Sequence, residues 1–565
     1  MNQILLKFYR SLPTIIIIIG KYFYFKYVKK NYQCCKHFPI TPNGKLYFGR
    51  PLFSSDGKRG YFTQYYNEIW VPSKAIVLYE YLKYKTEILY GEKVPPGISN
   101  LYIAKDCVLP LSIINNNANN ESQNNIKAEI SINKEKYTLS NLAQNRYHYL
   151  PFKKGSQISV KVNHEHILGK TIPLFQEKKH SKRLVLVLFV DSLATEAFKL
   201  VPFSELMPFT HNFFKKGIVF NNCYANENWT LPSVPSFFSG KYTTNHKLYA
   251  RNANQQIGEN YSILSEFFQD DDYQTSFLSG VTGCSPCCGY VKGFDRVLYK
   301  YNLDCKEIVS SFLEHLRAFQ NRDHFCWLSF LEANHSLYDI PDISCQTINS
   351  LEAHDYYDIG AKSPFEKYDK IETERYFTEL KRLDFYLKLV YDYIDGNYQN
   401  DEFLIMLCSD HGSQFISKNN HSLSDSRVKV PLMVRGENIP NISSDEIIEN
   451  VDAFPILLKY CNINFDDKQI DGRLPKCLGG KEERKYAYSE DIFIGQTYKA
   501  VISDNSHRFE FETKYKVSKG SKINTKGYNL SLINKKSNED ETRKNTIKVN
   551  EYLQIVFKHI ETFKA

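Results

Sequence analysis

At 565 residues the chain is longer than a single small domain and suits two domains with a large buried core. Its 72 Lys+Arg against 63 Asp+Glu leave a net charge of +9 scattered along the chain, without the basic stripe that argues for nucleic acid, so no nucleic-acid partner is expected. Thirteen cysteines, an odd number without regular spacing, argue against a secreted disulfide scaffold and for a mostly reduced interior.

Residues 1–42 carry TIIIIIG between Lys7/Arg10 and Lys21, well short of the roughly 20 apolar residues needed to cross a bilayer. No small-residue cleavage site follows. The next stretch, KYFYFKYVKK, is basic and aromatic and suits a membrane surface. The expectation is a cytoplasmic or peripherally membrane-associated protein rather than a periplasmic one. Residues 43–175 alternate short aromatic and β-branched runs with turn residues (KLYFGRPLF, AIVLYEYL, SQISVKV) and read as a mainly β accessory domain. Within it NNNANNESQNN is a polar loop. The charged QEKKHSKR, residues 176–183, is a hinge into a different texture.

From residue 183 to 565 buried strands alternate with amphipathic helices, which predicts a doubly wound α/β sheet with helices on both faces. LVLVLFV is a central parallel strand ending on Asp191. SILSEFF reads as helix, QTSFLSG and HFCWLSFLEA as strands, FTELKRLDFYLKLVYDYI as a long helix, and EFLIMLCSD as a strand ending on Asp410. GCSPCCG is a thiol-bearing Gly/Pro loop without zinc-ribbon spacing. After about residue 504 the chain turns Lys/Asn/Ser-rich and closes on the helix-like VNEYLQIVFKHIETF.

Ligands of an open α/β sheet bind beyond the carboxyl ends of its strands. Asp191, the Asp410-His411-Gly412 turn and His421 all fall on that edge, and so does Thr230 in NWTLPSVPSFFSGK. Two carboxylates, an imidazole and a hydroxyl suit a divalent cation such as Mg²⁺, Mn²⁺, Ca²⁺ or Zn²⁺ that also activates the hydroxyl. Thr230 is expected as the N-cap of a short helix, with Pro232 in its first turn and Gly240 at C′. Such an end faces an anion well, although capping alone would also explain the threonine.

The run TLPSVPSFFSGK resembles the nucleophile segment of the sulfatase branch of the alkaline phosphatase superfamily, C/S/T-x-P-S followed by T/S-G-K/R. Over roughly 320 residues LVLFVDS, GYVKGFDRVL, FLEANHSLYDIP, FLIMLCSDHG and HSLSDSRVKVPLMVRG are similar, in order, to further segments of that family. The resemblance implies Asp191, Thr230, Asp410 and His411 as metal ligands and Thr230 as nucleophile. It places His335 and His421 at the substrate's anionic group or leaving oxygen, with a second metal between His421 and Glu332 as the alternative for His421, and Lys241 and His246 on the substrate. Sulfatases mature a Cys or Ser to formylglycine within C/S-x-P-x-R. This chain has Thr230 and Val234 at those places, Ser192 after Asp191, and Gly280 and Thr282 where Lys and His would stand. An unmodified threonine nucleophile resembles the superfamily's phosphoethanolamine and phosphoglycerol transferases. The implied activity is a metal-dependent hydrolase or transferase of phospho-esters on a glycan, such as a cell-surface polysaccharide, or a lipid head group. The alternatives are a sulfate or phosphonate ester hydrolase lacking formylglycine, and a non-catalytic glycan-binding relative.

Overall fold

The structure is a computed structural model that describes residues 51–53, 59–65, 86–113, 126–142, 147–176, 179–249, 257–258, 261–281, 283–284, 288–300, 302–335, 367–518 and 522–564. The N-terminal apolar and basic segment, with its expected membrane contact, and the Asn-rich tract lie outside the described residues.

The α/β region is built on β1 (Leu184–Val190), β2 (Ile218–Tyr224), β3 (Gln274–Ser279), β4 (Arg296–Tyr299), β5 (His324–Phe330), β6 (Phe403–Cys408), β7 (Leu432–Gly436) and β8 (Ile442–Glu449). Their order in the sheet is β4-β3-β5-β1-β6-β7-β2-β8. β1 runs parallel to both β5 and β6, whereas β7 is antiparallel to β6 and β2. Every residue of β1 is buried, as a strand covered on both faces requires. Alternation assigns Val185, Val187 and Phe189 to the apolar core on one face. Leu184, Leu186, Leu188 and Val190 belong to the core on the other. The first core is closed by α1 (Thr230–Ser239) and α2 (Leu264–Asp270), the second by α3 (Cys305–Ala318) and the long α4 (Lys370–Asn397). The expected α/β sheet is therefore present.

The accessory region does not stand apart from this sheet. Its strand Thr86–Val94 pairs antiparallel with β4 and, through His166–Gly169 and Cys107–Ile113, carries the same sheet onward. A second sheet of Gly97–Tyr102, Gln157–Val162, Ala128–Ile132 and Glu135–Leu139 packs on that extension. The C-terminal subregion also differs from the reading that began it near residue 504. A four-stranded antiparallel sheet starts at Ala487–Asp491, continues through Thr497–Ser503, His507–Lys516 and Tyr528–Asn534, and is covered by α5 (Thr546–His559). Among the described residues no helix is long and apolar enough to cross a membrane.

Candidate active site

Because β1 and β6 are adjacent and parallel with Phe189 opposite Cys408, the residues that follow them emerge side by side. Asp191 leaves β1, and Asp410 and His411 leave β6. Carboxylate oxygens of both aspartates and a ring nitrogen of His411 lie within 4.8 Å of one another, all three residues buried. Thr230 completes the group from α1, its Oγ1 lying 3.2 Å from His411 Nε2 and 3.4 Å from Asp191 Oδ2. The N-cap of α1 is Trp229, in extended conformation, and Thr230 is the first helical residue; its expected capping role is corrected to N1. Its hydroxyl is turned into the cluster instead. Gly240 does close the helix, at φ +65°.

The surrounding chain fixes each group. His411 Nδ1 lies 3.0 Å from the Gly412 carbonyl, which can only accept, so Nδ1 carries the proton and Nε2 presents its lone pair to Thr230 and Asp410. Asp410 Oδ1 accepts from the N–H groups of Ser192 (3.1 Å) and His411 (2.9 Å). Its Oδ2 accepts no hydrogen bond and faces His411 Nε2 at 3.3 Å. Asp191 Oδ1 accepts from Asn334 Nδ2 at 2.6 Å and Ser192 Oγ at 2.8 Å. Ser192 holds φ +68°, a costly conformation outside glycine that persists only where its surroundings impose it. The carbonyl of Asp410 is held by Ser233 Oγ at 2.7 Å and Asn450 Nδ2 at 3.2 Å. Buried Arg427 donates to the carbonyls of Gly412 and Asn228, tying the Asp410-His411-Gly412 turn to the threonine segment.

Acceptors outnumber donors here: two carboxylate oxygens and an imidazole lone pair converge with one hydroxyl hydrogen among them. Burial pushes the Asp191 carboxyl up to about 6 and the Asp410 carboxyl well above the usual range, the Asp191 charge adding to the latter. Burial, and then Arg427, push the His411 imidazole down. Buried acceptors that resist protons in one place and crave them in another fit a divalent cation. A set of three oxygens and one nitrogen suits Mn²⁺ or Zn²⁺ as well as harder ions. Among the described residues the other comparable group is His315, His324 and Cys326, at the opposite edge of the sheet. There the Arg296 guanidinium contacts His315 Nδ1 at 3.3 Å, an arrangement unsuited to a second cation.

Lys241, His246 and His421 make their closest contacts with groups other than Asp191, Asp410 and His411. Lys241 follows the far end of α1, roughly 16 Å along the axis from Thr230, donates to the Gln469 carbonyl and lies over the Tyr261 ring. His246 is buried, accepts at Nδ1 from the Leu248 N–H at 3.0 Å, and is pushed by burial to a pKa of about 3. His421 Nδ1 accepts from the Leu423 N–H at 3.1 Å, and its Nε2 lies 3.8 Å from Glu510. Glu332 takes the Cys305 N–H at 2.6 Å beside Arg382, so Glu332 and His421 have different partners. His335 ends a short helix, Glu332–His335, and its side chain lies outside the described residues, as does Thr282. Sequence reading missed Ser192, Ser233, Asn334, Arg427 and Asn450. Asn334 and Arg427 lie inside the motif segments FLEANHSLYDIP and HSLSDSRVKVPLMVRG, which was the available signal.

The sequence profile of the Sulfatase family matches residues 183–463. Residues 183–463 form a sulfatase-family domain. Sulfatases are ester hydrolases of the alkaline phosphatase superfamily, typically metal-dependent, and the cluster occupies this domain. No curated protein matches the chain in sequence. Among solved structures, a putative sulfatase from Bacteroides fragilis matches with a TM-score of 0.54 at 14% identity, over 68% of this chain and 97% of its own. The phosphonate monoester hydrolase SpPMH from Silicibacter pomeroyi gives 0.52 at 13% identity, over 68% and 96%. A putative sulfatase from Bacteroides thetaiotaomicron gives 0.50 at 12% identity, over 68% and 92%. At these identities the likeness is one of fold.

Proposed function

We propose that the protein is a metal-dependent hydrolase or transferase of phospho-esters carried by a glycan or lipid head group, with Thr230 as nucleophile. The observation that carries this reading is the uncapped Thr230 hydroxyl at the start of α1, aimed at Asp191 Oδ2 and His411 Nε2. Asp191, Asp410, His411 and Thr230 would hold the divalent ion, which when bound supplies positive charge that acidifies the hydroxyl and steadies the phosphoryl oxygens. Asp191 Oδ2 takes the hydroxyl proton as Thr230 Oγ1 forms its bond to phosphorus. The bond from phosphorus to the alcohol oxygen breaks in line, and that oxygen takes a proton from His335 or His421. The free N–H groups opening α1 stabilise the anionic oxygens. Water or an acceptor hydroxyl then attacks the phospho-threonine and returns Thr230.

A second reading, sulfate or phosphonate ester hydrolysis by the unmodified threonine, is supported by the fold shared with a phosphonate monoester hydrolase. The intact ligand cluster counts against a decayed, non-catalytic relative. Nitrophenyl phosphate, bis-nitrophenyl phosphate, a nitrophenyl phosphonate and nitrophenyl sulfate, each assayed with Mn²⁺, Zn²⁺ or Ca²⁺ and after chelation, separate these readings. The expected result is chelator-sensitive phosphoester turnover and a phosphorylated Thr230 by mass spectrometry. Thr230→Ala is expected to fold, keep its metal and lose turnover by at least about a thousandfold; wild-type turnover in that variant would refute the nucleophile.

A further inference from the structure

The strand Ala487–Asp491 runs beside the segment that leads into α1. Ser489 Oγ donates to the Ala225 carbonyl at 2.6 Å, the Glu490 N–H donates to the Asn226 carbonyl at 2.9 Å, and Glu227 bridges Glu490 in parallel. Residues 225–229 then pass into the helix that opens on Thr230, and residues 487–491 into a tight turn over Phe493–Gln496. Across that junction the Phe493 ring stands 5.3 Å, centroid to centroid, from the ring of Trp229, the residue before Thr230. Asn228 Nδ2 donates to the Ser422 carbonyl at 3.1 Å, which holds the residue after His421 against the same stretch. Thr230 itself is half-buried, so its hydroxyl end of the helix is not sealed off by this packing.

The turn that carries Phe493 is fixed at several points. The Gln496 N–H closes it on the Phe493 carbonyl at 3.0 Å, and Gly495 takes φ +88°, which the third position of such a turn reserves for glycine. Val517 ties it down, accepting from the Gly495 N–H at 2.9 Å and donating to the Gln496 carbonyl at 2.7 Å. A single exposed aromatic ring is common on a protein surface. This one is 40% exposed although the adjoining Ile492 is fully buried and the supporting Trp229 is 7% exposed. Trp229, tilted at 55° to it, braces the ring and offers almost no accessible face of its own. What is presented beside the nucleophile segment is therefore one flat apolar surface on a rigid turn. Such a surface suits the C–H face of a pyranose, whose hydroxyls radiate to water from its edge. An ammonium head group is better gripped by several rings at once, and Trp229 lies too deep to supply a second face.

We infer that Phe493 is a specificity-determining residue of the Thr230 site, stacking on the sugar ring whose oxygen leaves phosphorus, and that the substrate is a phosphoester of a glycan rather than of an ethanolamine-type head group. This inference rests on the proposed function and decides between the two substrate classes named there.

The test compares the full chain with its Phe493→Leu variant, which keeps an apolar contact for Trp229 but no flat face, by phosphate release from glucose 6-phosphate and from phosphoethanolamine with Mn²⁺ present. The same pair in the Thr230→Ala background is titrated calorimetrically with glucose 6-phosphate. Expected is a fall of about three- to tenfold in kcat/KM for glucose 6-phosphate, carried mainly by KM, and an equal fall in its affinity for the Thr230→Ala chain. The loss for phosphoethanolamine is expected to be smaller, and Phe493→Tyr, which keeps the ring, is expected to retain the preference for the sugar ester. Equal losses for the two esters would show that Phe493 merely packs on Trp229 and would overturn the proposal. So would a larger loss for phosphoethanolamine, the mark of an ammonium site, or an undiminished affinity for glucose 6-phosphate. Phe493-dependent binding of glucose 6-phosphate by a protein that releases phosphate from neither ester upholds the sugar subsite and refutes the catalytic reading instead.

Discussion

Gly283 shows how closely the threonine is fitted. A Cβ at that position would stand 2.6 Å from Thr230 Cγ2 and 2.7 Å from Thr230 Cβ, closer than real side chains approach. Gly283→Ala must therefore displace Thr230, and misplacement of a reacting group by an ångström costs about a hundredfold in rate. We expect such a loss in kcat with normal metal content and a nearly unchanged melting temperature; an active Gly283→Ala enzyme would show that Thr230 is not held where the reaction needs it. Asn334 makes a complementary case. It grips the oxygen of Asp191 opposite the one facing Thr230, so Asn334→Ala should leave the carboxylate free to rotate and weaken metal affinity ~10–100-fold. Metal-dependent protection against thermal unfolding measures this directly, and Asn334→Asp, which keeps the shape but adds charge, should not restore wild-type behaviour.

The elements behind these residues were legible to different depths in the sequence. The strand LVLVLFV ending on Asp191 and the strand before Asp410 could be read because a doubly covered strand must be apolar throughout. Gly240 could be read because only a left-handed closing residue explains it. Thr230 was misplaced by one position, since a cap and a first-turn residue differ only in where the hydroxyl turns, and that is decided by Asp191 and His411 from elsewhere in the chain. The strand HRFEFETKYK was passed over because a half-buried strand carries polar residues outward; its period-two burial from His507 to Thr513 was the signal that its Lys-rich setting masked. Arg427 and Asn450 act through backbone carbonyls, and no spacing rule announces such contacts.

One element-scale contact ties that C-terminal sheet to the Asp410-His411-Gly412 turn. Arg484, just before the sheet, pairs with Glu449 at 2.8 Å and with Asp452. Between these two acids lies Asn450, whose amide holds the carbonyls of Ser409 and Asp410. Removing the cation leaves two buried carboxylates unpaired, so Arg484→Met should cost about 3–5 kcal/mol, read from urea unfolding, and should lower metal affinity along with it. Adding Glu449→Gln should recover part of the stability. If the single variant is as stable as the parent, the clamp is not what holds the turn.

For the molecule as a whole, buried histidines set an acid limit. His324, where β5 enters the sheet, donates from Nε2 to the Phe319 carbonyl at 3.0 Å, and burial pushes its pKa down to about 4. The Phe319 carbonyl, acting the other way, recovers only part of that. In the unfolded chain the same group titrates near ~6.5. The folded pKa is the lower one, so the neutral imidazole is favoured by folding: its contribution is complete above ~6.5 and is lost as pH falls from there toward about 4. Each unit in that window costs ~1.4 kcal/mol. Carboxyls whose pKa burial raises, Asp191 among them, act in the opposite sense, so the absolute slope mixes both, whereas a comparison between variants isolates the histidine. His324→Gln keeps an N–H donor for Phe319 and removes the titration. Between pH 6.5 and 5 it should lose about 2 kcal/mol less stability than the parent chain, measured by urea unfolding at matched ionic strength. Parallel pH profiles for the two proteins would mean that His324 takes up its proton in the fold as readily as in the unfolded chain.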